Sequence, residues 1–185
     1  SNVNSLHFLG KEKNSFSNSS YTNKEILKNR NSLKTFLEID QFSTKKIIDL
    51  KNNLKKLPTN IQRPKGQLAK QTSTALQIIN TDSPPTFIQM ELGGFDTHQN
   101  QITRQNKLLK ELSENIYFLK NGAEKLNKNI ELNIVVTSEF GRRLKENGSK
   151  GTDHGNASVA FLVGDAFNEQ FIGKYPDLKN LDNRG

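Results

Sequence analysis

Residues 132–155 read LNIVVTSEFGRRLKENGSKGTDHG, and this stretch decides the expected fold. The β-branched run at residues 134–137 predicts a buried strand, because such strands are short and continuously apolar. Glu139 follows where that strand ends, and a charged loop broken by glycine then leads to Asp153 and His154. Open α/β sheets build their sites at the carboxyl ends of strands, so these three polar residues are candidate site residues.

A second strand end carries the same residue types. Residues 86–92 predict a short strand, and the Gly-Gly pair that follows allows a sharp turn. Asp96 and His98 come just after that turn. Asp, Glu and His are ligands that a divalent metal of the zinc or manganese type accepts. A hydrogen-bonded Asp-His pair without metal is the ordinary alternative for either motif, and the convergence of two such pairs is what favours a metal site.

The longest periodic segment connects the two strands. Residues 101–126 carry apolar side chains at helical spacing, which predicts an amphipathic helix long enough for a βαβ crossover. Strands joined in this way lie parallel, so their carboxyl ends bring Asp96 and His98 toward Glu139. A further strand is expected over residues 158–163. The predicted fold class is therefore α/β, with a parallel-type sheet and a crossover helix.

The amino-terminal part of the chain is polar and basic. Residues 1–21 are rich in Ser and Asn without periodicity, and we interpret them as a loosely ordered arm. Residues 22–185 are interpreted as a single α/β domain. It consists of a helical region over 22–80 and a strand-helix-strand region over 81–185 that contains the candidate site.

Three helices are expected in the helical region. A capping box opens the first, which extends to residue 37. Ser43 is expected to cap the second, which ends before Pro58. Apolar spacing predicts the third over residues 67–79.

Composition restricts the functional classes. The chain has 185 residues, enough for one domain with a real core, but its hydrophobic share of 32% and mean hydropathy of −0.72 are low for a compact enzyme. The absence of cysteine excludes disulfides and thiolate metal sites. The net charge of +8 arises in residues 1–80, which hold 14 Lys and Arg against 5 Asp and Glu. No nucleic-acid motif accompanies that charge, and no apolar run is long enough to span a membrane.

Two arginines follow the candidate acid. Arg142 is the candidate catalytic residue, because its planar guanidinium could hold a phosphate or sulfate oxyanion. We prefer it to Arg143 because its distance from Glu139 suits a turn. A salt bridge to Glu139 or Asp153 is an equally good interpretation of either arginine.

These motifs resemble a known family. GGFDTHQNQ (residues 93–101) and VVTSEFGRRLKENGSKGTDHGNASVAFLVG (residues 135–164) are very similar to a bacterial domain-of-unknown-function family in the alkaline-phosphatase/sulfatase-like superfamily. The resemblance covers roughly residues 67–176. It implies a parallel-rich sheet between helices, two divalent metals at strand ends, and hydrolysis of phosphate or sulfate esters. It also implies an exported or periplasmic protein, often with a twin-arginine signal, although no such signal opens this chain.

The chain departs from the superfamily pattern in two ways. The superfamily carries a nucleophile and a metal-binding Asp on a first strand, and nothing before Thr22 is expected to form that strand, so the chain resembles the carboxyl-side portion. The register is also ambiguous. Asp153 and His154 either match the Ser/Thr-Asp-His-Gly metal motif, or His154 matches a later histidine and Glu139 takes the place of the Asp.

The sequence therefore predicts a metal-dependent hydrolase domain of the phosphatase/sulfatase-like kind, acting on an anionic ester. The expected metal ligands are Asp96, His98, Glu139, Asp153 and His154, and the expected metal is zinc or manganese. Because the superfamily site also needs an Asp and a nucleophile from the first strand, the isolated chain is expected to bind metal weakly or not at all. The alternative is a non-catalytic exported binding or surface-associated protein that retains the fold.

Overall fold

The computed structural model describes residues 5–7, 31–126, 129–168 and 171–181, which form a mixed α/β structure. The helices are α1 (Asn31–Asn53), α2 (Ala69–Ile79) and α3 (Gln101–Lys125). The strands are β1 (Ser5–His7), β2 (Phe87–Gln89), β3 (Ile134–Val136), β4 (Gly141–Glu146), β5 (Thr152–Gly155) and β6 (Phe161–Val163). No helix in these ranges is long and apolar enough to cross a membrane.

The strands of the described residues pair in three ladders. β1 and β2 are parallel, whereas β3 pairs with β6 and β4 pairs with β5 in antiparallel ladders. β1 lies within the segment interpreted as an arm and was not expected to be a strand; the remainder of residues 1–21 lies outside the described ranges. β2 and β3 belong to different ladders. The parallel direction expected for these two strands, and the parallel-type sheet, stay predictions.

The prediction of two helices around Ser43 is wrong. α1 is a single helix that passes through Ser43, because residues 31–53 contain neither Gly nor Pro and a Ser in the interior of a helix costs little. The capping box predicted for the first helix, residues 22–25, lies outside the described residues. α1 leaves several large apolar side chains exposed, among them Phe36 and Phe42.

The core lies between α2 and α3. Leu76 and Ile78 of α2 are fully buried, and Phe118 and Leu119 pack from α3. The helices approach closely at Gly122, where an added Cβ would lie 2.5 Å from Leu76 Cδ2. Both helices were predicted within two residues of their observed ends, because their apolar spacing is a local property of the chain.

A buried network of hydrogen bonds connects the same two helices. The Thr72 hydroxyl lies 2.6 Å from Asn115 Oδ1, and Asn115 Nδ2 donates to the carbonyl oxygen of Glu111. The Glu111 carboxylate accepts from the backbone N–H of Leu68, just before α2 begins. It fills the space beside Gly66, whose φ of +111° and missing Cβ permit that approach. The network keeps α3, whose amino-terminal end adjoins the candidate site, in register with the core.

The charged loop expected after residue 141 is a β-hairpin. β4 and β5 extend over much of it, and the connecting turn lies at residues 147–151. The Asn147 side chain closes this turn, because its Oδ1 accepts from the N–H groups of Ser149 and Gly151. The Asn-Gly pair at 147–148 is a common hairpin signal that the interpretation as a loop overlooked.

Candidate metal centre

The loop after β2 carries two potential ligands, Asp96 and His98, on either side of the buried residue Thr97. Gly94 takes a φ of +99°, which turns the backbone sharply. Thr97 is fully buried, and its N–H donates to the Phe95 carbonyl oxygen at 2.8 Å. With Thr97 held inside, its neighbours Asp96 and His98 lie at the surface, with side chains 61% and 44% exposed.

The β4–β5 hairpin supplies the other side of the site. Arg142 and His154 lie directly opposite each other in the antiparallel ladder, so their side chains are neighbours on the same face of the hairpin. Asp153 precedes His154 on β5. The hairpin therefore places Arg142 and His154 beside the loop that carries Asp96.

One carboxylate oxygen is the centre of the cluster. Asp96 Oδ1 lies 2.8 Å from His154 Nε2 and 2.9 Å from His98 Nε2. Arg142 Nη2 lies 3.3 Å from the same oxygen. Ligand atoms of Asp96, His98 and His154 all lie within 4.8 Å of one another. Three residues of the types that hold divalent metals thus converge on one point.

The surroundings of Asp96 favour its ionised form. The hydrogen bond with His154 lowers the pKa of the Asp96 carboxyl below its ordinary value of 3.8, desolvation opposes that shift, and the positive charges of His98, His154 and Arg142 add to it. Asp96 is therefore a carboxylate at neutral pH, as a metal ligand must be.

Both ring nitrogens of His98 face carboxylates. Nδ1 lies 3.2 Å from Asp153 Oδ1, and Nε2 lies 2.9 Å from Asp96 Oδ1. A neutral imidazole has only one N–H, so it can donate to only one of the two acids. The other nitrogen needs either a second proton or a cation between it and the carboxylate. A carboxylate behind one nitrogen of a histidine is also the usual companion of a metal at the other nitrogen.

An aromatic ring fixes the plane of His154. The rings of Phe140 and His154 stack with centroids 3.9 Å apart and planes 7° from parallel. His98 and His154 are also stacked, with centroids 5.0 Å apart. Phe140 was not among the predicted site residues, although its position in SEFG places it directly before the hairpin.

Arg142 joins the hairpin to the loop. Its Nη1 donates to the Thr152 carbonyl oxygen at 2.6 Å, and its Nη2 donates to the Phe95 carbonyl oxygen and to Asp96. The side chain is only 15% exposed. The salt bridge of Arg142 is with Asp96 rather than with Glu139 or Asp153, and the catalytic role expected for Arg142 stays a prediction. Arg143 donates through Nε to the His154 carbonyl oxygen at 3.2 Å.

The profile of a family described as "Protein of unknown function (DUF1501)" matches residues 4–181, which is nearly the whole chain. The chain belongs to the DUF1501 family. No curated protein and no solved structure gave a significant match. The expected membership of a domain-of-unknown-function family is confirmed, whereas the alkaline-phosphatase/sulfatase-like superfamily and twin-arginine export stay predictions.

The predicted site residues of this DUF1501 chain divide into two groups. The structure brings Asp96, His98, Asp153 and His154 into one hydrogen-bonded cluster. Glu139 is exposed and is not one of the three residues whose ligand atoms converge. The ligand roles of all five residues stay predictions, and so does the choice between the two registers.

An open depression lies next to the cluster on the hairpin side. Its volume is about 390 Å³. The depression is lined by two basic side chains, Arg143 and Lys145, and two acidic ones, Glu146 and Asp153. Asn147 and Gly148 complete the lining. Because Asp153 also contacts His98, the depression opens directly beside the cluster.

Proposed function

We propose that this DUF1501 chain binds a divalent metal through Asp96, His98 and His154 and uses it to hydrolyse an anionic ester. The observation that carries the proposal is the convergence of the three ligand atoms, together with His98, whose two ring nitrogens both face carboxylates. Part of the proposal is that the carboxyl-side portion has an alkaline-phosphatase-like fold and that the protein is exported; both rest on the resemblance of its motifs.

The residues present fit a metal of the zinc or manganese type. Two ligand atoms that share a tetrahedral zinc at about 2.1 Å lie about 3.4 Å apart. The contacts of Asp96 Oδ1 with His154 and His98, 2.8 and 2.9 Å, are shorter than that separation, and all three ligand atoms lie within 4.8 Å of one another. To admit an ion, the side chains would have to rotate so that both histidine nitrogens move away from the carboxylate oxygen. Two imidazoles and one carboxylate are a donor set that zinc, manganese and ferrous iron all accept.

The exposure of the cluster favours a catalytic rather than a structural site. Structural zinc sites are closed by four protein ligands, whereas catalytic sites have three and keep one position for water or substrate. Asp96, His98 and His154 are three ligands with exposed or half-buried side chains. A metal bound there would polarise an ester oxygen and lower the pKa of a bound water.

The remaining residues of the cluster have supporting roles in this proposal. Asp153 accepts a hydrogen bond from His98 Nδ1 and so directs Nε2 toward the metal position. Arg142 holds Asp96 and the backbone carbonyl oxygens on both sides of the site. Because both terminal nitrogens of Arg142 have partners in the protein, we assign it to positioning Asp96. In the neighbouring depression, Arg143 and Lys145 are the cations that would contact an anionic phosphate or sulfate ester, and Glu146 and Asp153 balance their charge.

Metal binding is tested first. Elemental analysis of the purified protein and calorimetric titration with zinc, manganese and ferrous iron should show saturable one-to-one binding. Asp96→Asn, His98→Ala and His154→Ala should each abolish or strongly weaken it. Asp165→Asn, which removes an exposed carboxylate paired with Lys120 away from the cluster, serves as the matched control and should leave it unchanged. Undiminished binding in His154→Ala, or the absence of saturable binding in the wild-type chain, would refute the proposed site.

Hydrolysis is tested separately on the metal-loaded protein. Aryl phosphate and aryl sulfate substrates should be cleaved by the wild-type protein, and the Asp96→Asn variant should be inactive. Metal binding without hydrolysis of either ester class would contradict the enzymatic part of the proposal and would favour the non-catalytic binding protein.

A further inference from the structure

The tip of the hairpin is attached to the ligand loop and to the start of α3. The backbone N–H groups of Asn100 and Gln101 donate to the carbonyl oxygens of Ser149 and Lys150, at 3.2 and 2.9 Å. These bonds connect residues about fifty positions apart in the sequence. The turn is therefore held by tertiary contacts as well as by its own hydrogen bonds.

Asn147 makes the contact that reaches a proposed metal ligand directly. Its Nδ2 donates to the carbonyl oxygen of His98 at 3.0 Å. At the same time its Oδ1 accepts from the N–H groups of Ser149 and Gly151. One amide side chain thus binds the turn through its oxygen and the His98 backbone through its nitrogen.

The hairpin consequently holds the loop at two points. Arg142, near the base of the hairpin, donates to the Phe95 carbonyl oxygen and to Asp96. Asn147, at the tip, donates to the His98 carbonyl oxygen. His154 is on the same hairpin, so a rigid attachment at both points sets where His98 lies relative to His154.

We propose that Asn147 is a positioning residue that sets the distance between His98 and His154 by tying the hairpin tip to the His98 backbone. The proposal rests on the metal site proposed above and adds that the hairpin tip, through Asn147, fixes the position of its ligand His98. Ligands held to within a fraction of an ångström bind metal more tightly, because less ordering is left for the binding step.

The close approach at Gly151 supports the same attachment. A Cβ added at Gly151 would lie 2.2 Å from the carbonyl carbon of His98 and 2.6 Å from the carbonyl oxygen of Thr97. Backbone atoms cannot move aside as a side chain can, so Gly151→Ala must push the turn away from His98. At Gly148, in the same turn, the described residues place no atom within 4 Å of an added Cβ, apart from the two chain neighbours. Gly148→Ala is therefore a matched control.

Asn147→Asp is the sharpest variant. Aspartate keeps the oxygen that closes the turn but replaces the donor to His98 with a second oxygen, which repels the carbonyl oxygen. Asn53→Asp is the control, because Asn53 Nδ2 also donates to a backbone carbonyl oxygen, that of Asp49, on a helix away from the cluster. Both variants add one negative charge.

Cobalt(II) titration, followed by its visible absorption, measures the effect on the site. We expect Asn147→Asp to lower the affinity about tenfold, as is usual when a residue behind a metal ligand is lost. Charge alone would change the affinity in the opposite direction, because an added carboxylate attracts the cation. Gly151→Ala should weaken binding and alter the cobalt spectrum, while Gly148→Ala and Asn53→Asp should match the wild type. Unchanged or tighter binding in Asn147→Asp would overturn the proposal.

A second measurement does not depend on metal binding. In the metal-free protein, nuclear magnetic resonance should show the ring signals of His98 shifted by Asn147→Asp and by Gly151→Ala, but not by Gly148→Ala. If the wild-type chain binds no metal, the proposed function fails while this result still stands. If the His98 signals are unchanged in both variants, the positioning role is refuted whether or not metal binds.

Discussion

Replacement of Asp153 by Asn distinguishes a carboxylate that supports His98 from a carboxylate that binds the metal. An amide oxygen can still accept the hydrogen bond from His98 Nδ1, so what is lost is the negative charge that strengthens it. Loss of the partner behind a ligating histidine typically costs 10- to 100-fold in metal affinity.

The geometry places this variant at the lower end of that range. The distance between His98 Nδ1 and Asp153 Oδ1 is 3.2 Å, longer than the roughly 2.8 Å of a strong charge-assisted hydrogen bond. The two side chains are 44% and 56% exposed, so water screens their interaction. We therefore expect Asp153→Asn to weaken metal binding about tenfold, or by about 1.4 kcal/mol.

Competition titration against a chelator of known affinity measures this difference. Asp165→Asn is the control, because Asp165 is an exposed partner of Lys120 away from the cluster and loses the same charge. Asp96→Asn should weaken binding far more than Asp153→Asn, because it removes a proposed ligand. An equal loss in the two variants would show that Asp153 is itself a ligand. No loss in Asp153→Asn would show that it does not support His98.

Three further predictions concern stability. The pKa of Asp96 is lowered in the folded protein, so its ionised form stabilises the fold. That stability is complete above the unfolded pKa of 3.8 and is lost as the pH falls through the lower folded pKa. The free energies of unfolding in urea of the wild type and Asp96→Asn should therefore differ at neutral pH and converge in acid. Leu76→Ala should lower the free energy of unfolding by about 2–5 kcal/mol, whereas truncation of the exposed Leu144 should change it by less than about 0.5 kcal/mol. Gly122→Ala should cost up to about 2 kcal/mol, because the clash with Leu76, about 1–3 kcal/mol, exceeds the roughly 1 kcal/mol that Ala gains over Gly inside a helix. The double variant Gly122→Ala/Leu76→Ala should lose less than the sum of the single losses, and strict additivity would contradict the close contact.

The sequence predicted the elements whose signal is local. α3 was expected over residues 101–126 and is observed at Gln101–Lys125, because its apolar face repeats at helical spacing over many turns. β3 lies inside the run at residues 134–137 that was predicted to form a strand, but the strand is not buried as predicted, since Val135 is 60% exposed. The Asn-Gly turn is also a local signal, but the high charge around it led to the interpretation as a loop. α1 was divided in two because Ser43 resembles a cap, although nothing before it breaks the helix.

The candidate site shows the same division between local and distant information. The types and order of its residues were readable, since Asp96, His98, Asp153 and His154 belong to short motifs beside strands. The sequence argument expected the two Asp-His motifs to meet at one sheet edge, with parallel strands bringing Asp96 and His98 toward Glu139. In the structure the β4–β5 hairpin brings His154 to Asp96 Oδ1. Phe140 and Asn147 were missed because stacking and a backbone hydrogen bond leave no pattern in a single sequence.

The sequence by itself determined which side chains could bind a metal, the amphipathic helix between the two motifs, and the family to which the chain belongs. Only the tertiary structure decided which acid is central to the cluster and which lies behind a histidine. Asp96 and His154 are 58 residues apart, and His98 and Asp153 are 55 apart. Contacts over such separations depend on strand register, on the docking of the hairpin tip and on the packing that buries Thr97. These are properties of the folded chain as a whole, and local residue patterns do not encode them separately.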